Sequence, residues 1–415
     1  MSASDPSSPA AGRAPVGLAL AAFLLAALAV LPGCLGFLVF THTLTATPAG
    51  AWFVYVAAIP LYALSALLLL AAFILARRRR SRLRWVVLSA VAFGGVSLFG
   101  FLMHTGFLFR PVTQPEYVSL DEAIHRFGES EPIVGVLDGE GRPYAYIARL
   151  ARRPHIVQQP EGDAPFMMSH CILANSSMAY ALDPDAPPPH ISISSVLANN
   201  LIYYDHGTKN TVQQVYNCSL DGRDRLTSLP TVTTTLAAWQ TLYPESKVWV
   251  RPREWRDTFY LKLLARASVI DQQSPDLVYP LQRPADPRLP LKAYVMGVQS
   301  GDESCAYPLD ALVRDGVLQD DFAGRPLVFF ASSDGEFVQL YSRRVPGDGR
   351  VLNFTALPDG SAIRDGETGS RWDVAGRCIA GELRGTRLAP VPHYSRIFWC
   401  VWADFSPKSE VRPRS

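Results

Sequence analysis

Three long apolar stretches open the chain, and a different pattern fills the rest. Val16–Phe40, Trp52–Ala76 and Trp85–Phe109 contain no Asp, Glu, Lys or Arg, although the third carries His104 near its end. A helix needs about 20 apolar residues to cross a bilayer. The stretches therefore predict three membrane spans rather than three core helices or a cleaved leader. Loop charge sets their direction. Arg77, Arg78, Arg79, Arg80, Arg82 and Arg84 crowd the second loop, while Thr41–Gly50 carries no charge. The positive-inside rule places these arginines in the cytoplasm. Residues 1–15 are then a cytoplasmic tail, residues 16–110 a three-helix anchor in the cytoplasmic membrane, and the chain beyond lies outside.

From residue 111 onward, short apolar runs alternate with Gly, Pro and Asp clusters, as in Glu131–Val136, Ala145–Leu150, Pro165–Cys171 and Leu201–Tyr204. Such runs bounded by turn residues predict β-strands. Ser119-Leu120-Asp121-Glu122 reads as a capped helix start. Thr235–Tyr243 predicts a helix with Leu236, Trp239 and Leu242 or Tyr243 on one face. Ser395–Phe405 predicts another, with Phe398, Trp402 and Phe405 at the same spacing.

These two helices belong to a wider repeat. Ile133-Val134-Gly135-Val136, Ala145-Tyr146 and Pro165 recur as Val295-Met296-Gly297-Val298, Ala306-Tyr307 and Pro326. Asp205, Thr208, Leu229-Pro230 and Trp239 recur as Asp365, Thr368, Val391-Pro392 and Trp402. The predicted fold is thus three N-terminal transmembrane α-helices followed by a β-rich α+β outer domain of two pseudo-repeated lobes. The lobes are residues 111–251 and 293–411, with a proline-rich linker at 252–292 and a tail at 412–415. Each lobe is small for an independent core, so a shared interface is expected.

Composition narrows the function. The 415 residues carry a net charge of +2 and only 18% charged side chains, so no basic field points to nucleic acid. Five of the six cysteines (Cys171, Cys218, Cys305, Cys378 and Cys400) lie in the outer region, where disulfides are permitted. Five cannot all pair within one chain. Cys218 and Cys378 fall at matching repeat positions, which suggests equivalent packing sites. No Cys-x-x-Cys, G-x-S-x-G, G-x-x-x-x-G-K or H-E-x-x-H occurs.

The run Asp365-Gly366-Glu367-Thr368-Gly369-Ser370-Arg371-Trp372-Asp373 is followed by Gly381-Glu382-Leu383-Arg384-Gly385-Thr386, Val391-Pro392-His393 and Trp402. It resembles the second half of the bacterial domain of unknown function called DUF3179. Ala145-Tyr146, His155, Gly162, Pro165, Cys171 and Thr235–Trp239 are similar to its first half in order and spacing. The resemblance covers about Glu131 to Val411. It implies the fold and brings no activity with it; some members similarly carry N-terminal membrane spans, and with the loop charges the expectation is a bacterial inner-membrane protein with a periplasmic domain. Members commonly carry a Cys-x-x-Cys where this chain has Cys171-Ile172-Leu173-Ala174. They carry an aspartate four residues after the histidine, where this chain has Gln159, and a tryptophan where Thr208–Val212 has none.

Two constellations hold candidate chemistry. His155 and Cys171 offer imidazole and thiolate, which suit copper or zinc, or a thiol reaction. The plain alternative is a small buried thiol and a hydrogen-bonded histidine. His170 and Cys171, adjacent on a strand, are expected to face opposite ways. Asp365, Arg371, Trp372 and His393 offer an anion fork, an aromatic wall and a polar histidine for a ligand. Their alternative is a turn in which Asp365 caps Thr368 or Gly369 while Trp372 fills the core. The repeat offset sets Gly316 and Ser332 opposite His155 and Cys171, so any chemistry there would be one-sided. The expected function is a membrane-anchored extracytoplasmic binding or interaction module, more a binder than an enzyme. Its expected partners are the lipid bilayer and a small molecule or protein. The alternative is an extracytoplasmic metal-binding or thiol-dependent enzyme using His155 and Cys171.

Overall fold

The computed structural model describes residues 14–34, 43–78, 83–160, 162–219, 226–263, 267–357 and 362–413. The N-terminal tail up to residue 13, the last six residues of the first predicted span and Arg79–Arg82 lie outside the described residues. The chain divides into two compact units.

The first unit holds α1 (Ala14–Val30), α2 (Ala58–Arg78) and α3 (Leu83–Met103). A helical run from Pro48 leads into α2 through a π-turn at Phe53–Ala57. Ala14–Gly33, Pro48–Arg78 and Leu83–Met103 are each long and apolar enough to cross a membrane. Ala19, Ala72, Ala76 and Val86 form a buried seam between the helices, as expected where lipid supplies no hydrophobic drive and close backbone approach must. Leu24, Leu67 and Val91 stay exposed, which suits a bilayer. Two later segments, Pro189–Leu197 and Ile202–Val212, complete this unit. They contain most of the strands Ile191–Leu197 and Asn200–Asp205. The Tyr55 hydroxyl donates to the Ile193 carbonyl at 2.6 Å, and the Thr45 hydroxyl to Ser195 Oγ at 3.1 Å.

The second unit begins with β1 (Glu116–Ser119) and α4 (Leu120–Phe127), whose first turn is capped by Ser119. It continues through β2 (Pro132–Leu137), β3 (Pro143–Ile147), β4 (Ile156–Gln159), β5 (Phe166–Cys171) and β6 (Ser176–Ala181). Then come β7 (Thr231–Thr235), α5 (Leu236–Leu242) and β8 (Lys247–Val250). One sheet has the order β1-β8-β3-β2-β7, with β8 parallel to β3 and the other pairs antiparallel. A meander β4-β5-β6, joined at β6 by the short strand Ser228–Leu229, forms a second sheet.

Residues 294–411 show a matching order. They comprise β9 (Tyr294–Ser300), β10 (Glu303–Pro308), α7 (Leu309–Asp315), β11 (Val317–Phe322), β12 (Arg325–Ala331) and β13 (Val338–Ser342). They close with β14 (Tyr394–Phe398), α8 (Trp399–Phe405) and β15 (Glu410–Val411). The sheet β14-β9-β10-β15 again has its last strand parallel, and β11-β12-β13 is again a meander. Gly135 pairs with Ala145, and Gly297 with Ala306. Trp239 of α5 and Trp402 of α8 press on these glycines and donate to Ser246 Oγ and Ser409 Oγ, both at 2.8 Å.

One predicted boundary moves. The helix expected over Ser395–Phe405 starts at Trp399, because Tyr394–Phe398 is a strand paired with β9. The sheet ladder captures residues that helical spacing alone would assign to the helix. The strands β7 and β14 also meet each other: Thr233 N donates to Ser395 Oγ at 3.0 Å, and Arg396 Nε to the Thr233 carbonyl at 3.3 Å. Within the 252–292 segment, α6 (Trp255–Leu263) supplies the buried Tyr260, and Tyr279 is buried too. Lys292 is also buried, and its ammonium donates to the carbonyls of Ser268, Val269 and Asp271 at the end of a short helix.

Candidate functional site

The pairing of β4 with β5 sets Ile156 opposite Ser169. This brings His155, just before β4, against His170. His155 adopts a left-handed backbone with φ 71°, a conformation costly for a residue with a Cβ. Its Nδ1 donates to the His170 carbonyl at 2.7 Å. The proton therefore sits on Nδ1, and the Tyr260 hydroxyl, 3.2 Å from Nε2, donates to the remaining lone pair. That lone pair is the one a metal would need. Burial holds His155 down to about 4, the bond to His170 opposes this, and Arg153 adds to it. His170 meets Ser177 Oγ through Nδ1 at 2.9 Å, and burial, His155 and Arg152 hold it at about 3.

Cys171 points away from His170, toward the Asn199 carbonyl, to which its thiol donates at 3.5 Å. Burial pushes this thiol up to about 11. Tyr260 and Tyr279 lie close enough that, after burial, the Cys171 charge also raises both phenols. Asn199 locks the far wall, donating to the Tyr279 carbonyl at 2.9 Å and accepting from Tyr279 N at 3.2 Å. An ionic clamp holds α6 in place. Arg153 Nε and Arg251 Nη2 reach Asp257 Oδ1 at 2.5 and 2.7 Å, while Glu254 N donates to Asp257 Oδ2 at 2.7 Å. At neutral pH His155, His170, Cys171 and Tyr260 inside this clamp are uncharged and hydrogen-bonded. A thiolate nucleophile needs an accessible, low-pKa sulfur, and this thiol is buried and raised. Among the described residues, no three His, Cys, Asp or Glu side chains converge on one point.

The second constellation is brought together only in part. Asp365 Oδ1 accepts from Thr368 N at 2.6 Å, and its Oδ2 from Trp372 Nε1 at 2.9 Å. Burial raises the Asp365 carboxyl, but the Trp372 and Thr368 donors outweigh it and hold the group below its ordinary value. Trp372 is fully buried, packed edge-on against Phe354. Arg371 stands exposed, paired in the ladder with Arg364 and Ala380. His393 is buried elsewhere: Nδ1 donates to the Val391 carbonyl at 3.1 Å, and the ring lies edge-on to Phe329. Its Nε2 is buried without a hydrogen-bond partner, and burial holds the imidazole at about 4. The matching turn at Asp205 also caps its loop, accepting from Gly207 N and Thr208 Oγ1.

Two features of the structure have no local signal in the sequence. Tyr260 reaches His155 across 105 residues, and no local pattern announces that contact. An open groove of about 580 Å³ lies between Tyr117–Glu122 and Pro244–Lys247, with Asp121, Glu122, Glu245 and Lys247 on its walls. The acids at Asp121 and Glu122 read as helix-start residues; only the β1–β8 pairing, Ser119 with Lys247, turns them into a wall.

No curated protein sequence and no solved structure matches the chain. The family model described as a protein of unknown function, DUF3179, matches residues 110–409. That span is more than half of the chain and contains every candidate site residue, so the chain belongs to the DUF3179 family.

Proposed function

We propose that residues 110–409 act as an extracytoplasmic binding or interaction module, held at the cytoplasmic membrane by the three helices, with the N-terminus inside. The observation that carries this reading is the sealed state of the Cys171–His155 region. Its thiol is protonated and buried, and its histidine lone pair is occupied by Tyr260. The reactive groups are built into the core, which leaves surfaces such as the Tyr117–Lys247 groove for recognition. The groove carries three carboxylates and one ammonium, so a cationic or mixed-charge small molecule or protein segment suits it. The matched sheets support reading the module as two copies of one lobe, 111–251 and 293–411.

One observation favours the rival enzyme reading: the left-handed φ of His155, since strained backbone gathers at functional sites. Metal analysis of the purified full chain, wild type and Cys171→Ser, separates the two. The binding-module reading expects no stoichiometric metal in either. Stoichiometric copper or zinc that disappears in Cys171→Ser contradicts it. Orientation is tested by a reporter fused after Ser415. Activity confined to reporters that work outside the cytoplasm is expected, and a reporter active only inside overturns it.

A further inference from the structure

His206 N donates to the His190 carbonyl at 3.0 Å across the two strands of the first unit, which sets the histidines side by side. Their rings stack at 4.0 Å between centroids with 12° between planes. Parallel rings aim their in-plane lone pairs alongside one another, so the pair is not arranged to converge on one metal ion. It is arranged to control charge. Like-charge repulsion opposes charging both rings of a stacked pair at once.

The stack is joined to the membrane helices. His206 lies edge-on to Tyr55 and to Tyr204, at 5.3 and 4.8 Å. Tyr55 stacks on Tyr204 at 5.8 Å and meets His104 edge-on at 5.5 Å. It sits in the π-turn Phe53–Ala57, an irregularity frequent at functional positions. Its hydroxyl donates to Ile193 and lies 2.9 Å from Thr105 Oγ1. Ser192 Oγ holds His206 Nε2 at 3.0 Å. The titratable groups facing the stack are therefore Tyr55, Tyr204, His104 and Asp205. Asp205 gives limited relief, because its oxygens accept from Gly207 N and Thr208 Oγ1 at 2.9 Å each. Burial first, and His190 second, hold His206 below the ordinary imidazole value, with Asp205 pulling the other way.

We infer that the His190–His206 stack is an acid-sensitive latch that keeps Pro189–Leu197 and Ile202–Val212 docked on the membrane helices. It is closed while the pair holds at most one proton and opens when both rings are charged. The sign follows from the lowered His206: docking is favoured above the ordinary histidine pKa and lost as pH falls below it. The latch goes beyond the binding-module reading and does not depend on it.

The test uses the full chain in lipid nanodiscs, spin-labelled at Leu44→Cys and Lys209→Cys. Both positions are exposed and the six native cysteines are buried. One narrow distance distribution is expected at pH 7.5, with a longer population growing from pH 6.5 to 5. His190→Asn should remove that growth while keeping the pH 7.5 distribution. Identical distributions at both pH values, or an acid change undiminished in His190→Asn and His206→Asn, would overturn the latch. Histidine NMR titration of the unaltered chain gives a readout that needs no variant. A His206 inflection below the ordinary histidine value supports the latch, and a His206 inflection at or above that value overturns it.

Discussion

Trp402 presses its six-membered ring on Gly297 so closely that a Cβ placed on the glycine would lie 2.3 Å from the indole. Trp239 does the same to Gly135, at 2.4 Å. Glycine is required at these strand positions by the approach of the indole, not by an unusual backbone angle. Overpacking of this kind costs about 1–3 kcal/mol. Gly297→Ala and Gly135→Ala should each lower stability by that amount in denaturant melts of the purified chain. Gly139→Ala, whose Cβ would meet only Ala164 at an ordinary 3.5 Å, should change little. Equal stability of all three variants would break this account of the packing.

Much of this architecture was legible in the chain. The spans are visible because twenty-odd uncharged residues have few other physical uses. Gly135 and Trp239 stand out because they recur as Gly297 and Trp402, 162 and 163 residues on, although their contact has no local signal. Asp365 was readable as a turn cap because its partners lie three and seven residues away. What was not legible is non-local. Tyr260 meets His155, and Tyr55 meets Ile193, through contacts across 105 and 138 residues. The place of Pro189–Leu197 and Ile202–Val212 among the membrane helices also has no signal in strand periodicity, since Ile191–Val196 is buried on both faces.

Asp365 and Arg371 separate a structural turn from a ligand pocket. Asp365→Ala strands the Trp372 indole and the Thr368 amide, and hydrogen bonds to a charged group contribute about 1.5–3 kcal/mol. A loss of that size is expected in thermal denaturation. Arg371→Ala, at an exposed ladder position, should lie within about 0.5 kcal/mol of wild type. The reverse ranking would favour the pocket.

Asp257 should leave a signature in acid. Burial raises its carboxyl, but Arg251, the Glu254 amide and Arg153 outweigh this and hold it at about 2. A carboxyl depressed in the folded state stabilises above its unfolded value, near 4, and that contribution fades as pH falls toward 2. Asp257→Asn should therefore be less stable than wild type at pH 6, with the gap narrowing toward pH 2. A gap independent of pH would show that the ionic clamp is not its cause.

His393 and His155 act in a higher window. Both are buried and held at about 4, while free histidine titrates near 6.5. The folded state keeps them neutral, so stability is full above 6.5 and declines as pH falls toward 4. His393→Phe keeps a ring beside Phe329 and removes the titrating group whose Nε2 has no partner. Its melting temperature should fall less than that of wild type between pH 6.5 and 4.5. An unchanged acid slope would place the sensitivity elsewhere.

The central claim is that the cysteine–histidine region belongs to a closed core and leaves recognition to the surface. Mass-spectrometric alkylation of the native chain at pH 8 tests this most directly. Cys171, with its thiol near 11 and only 1% exposed, should stay unmodified until denaturant is added. Rapid stoichiometric alkylation of Cys171 in the folded protein would contradict the claim.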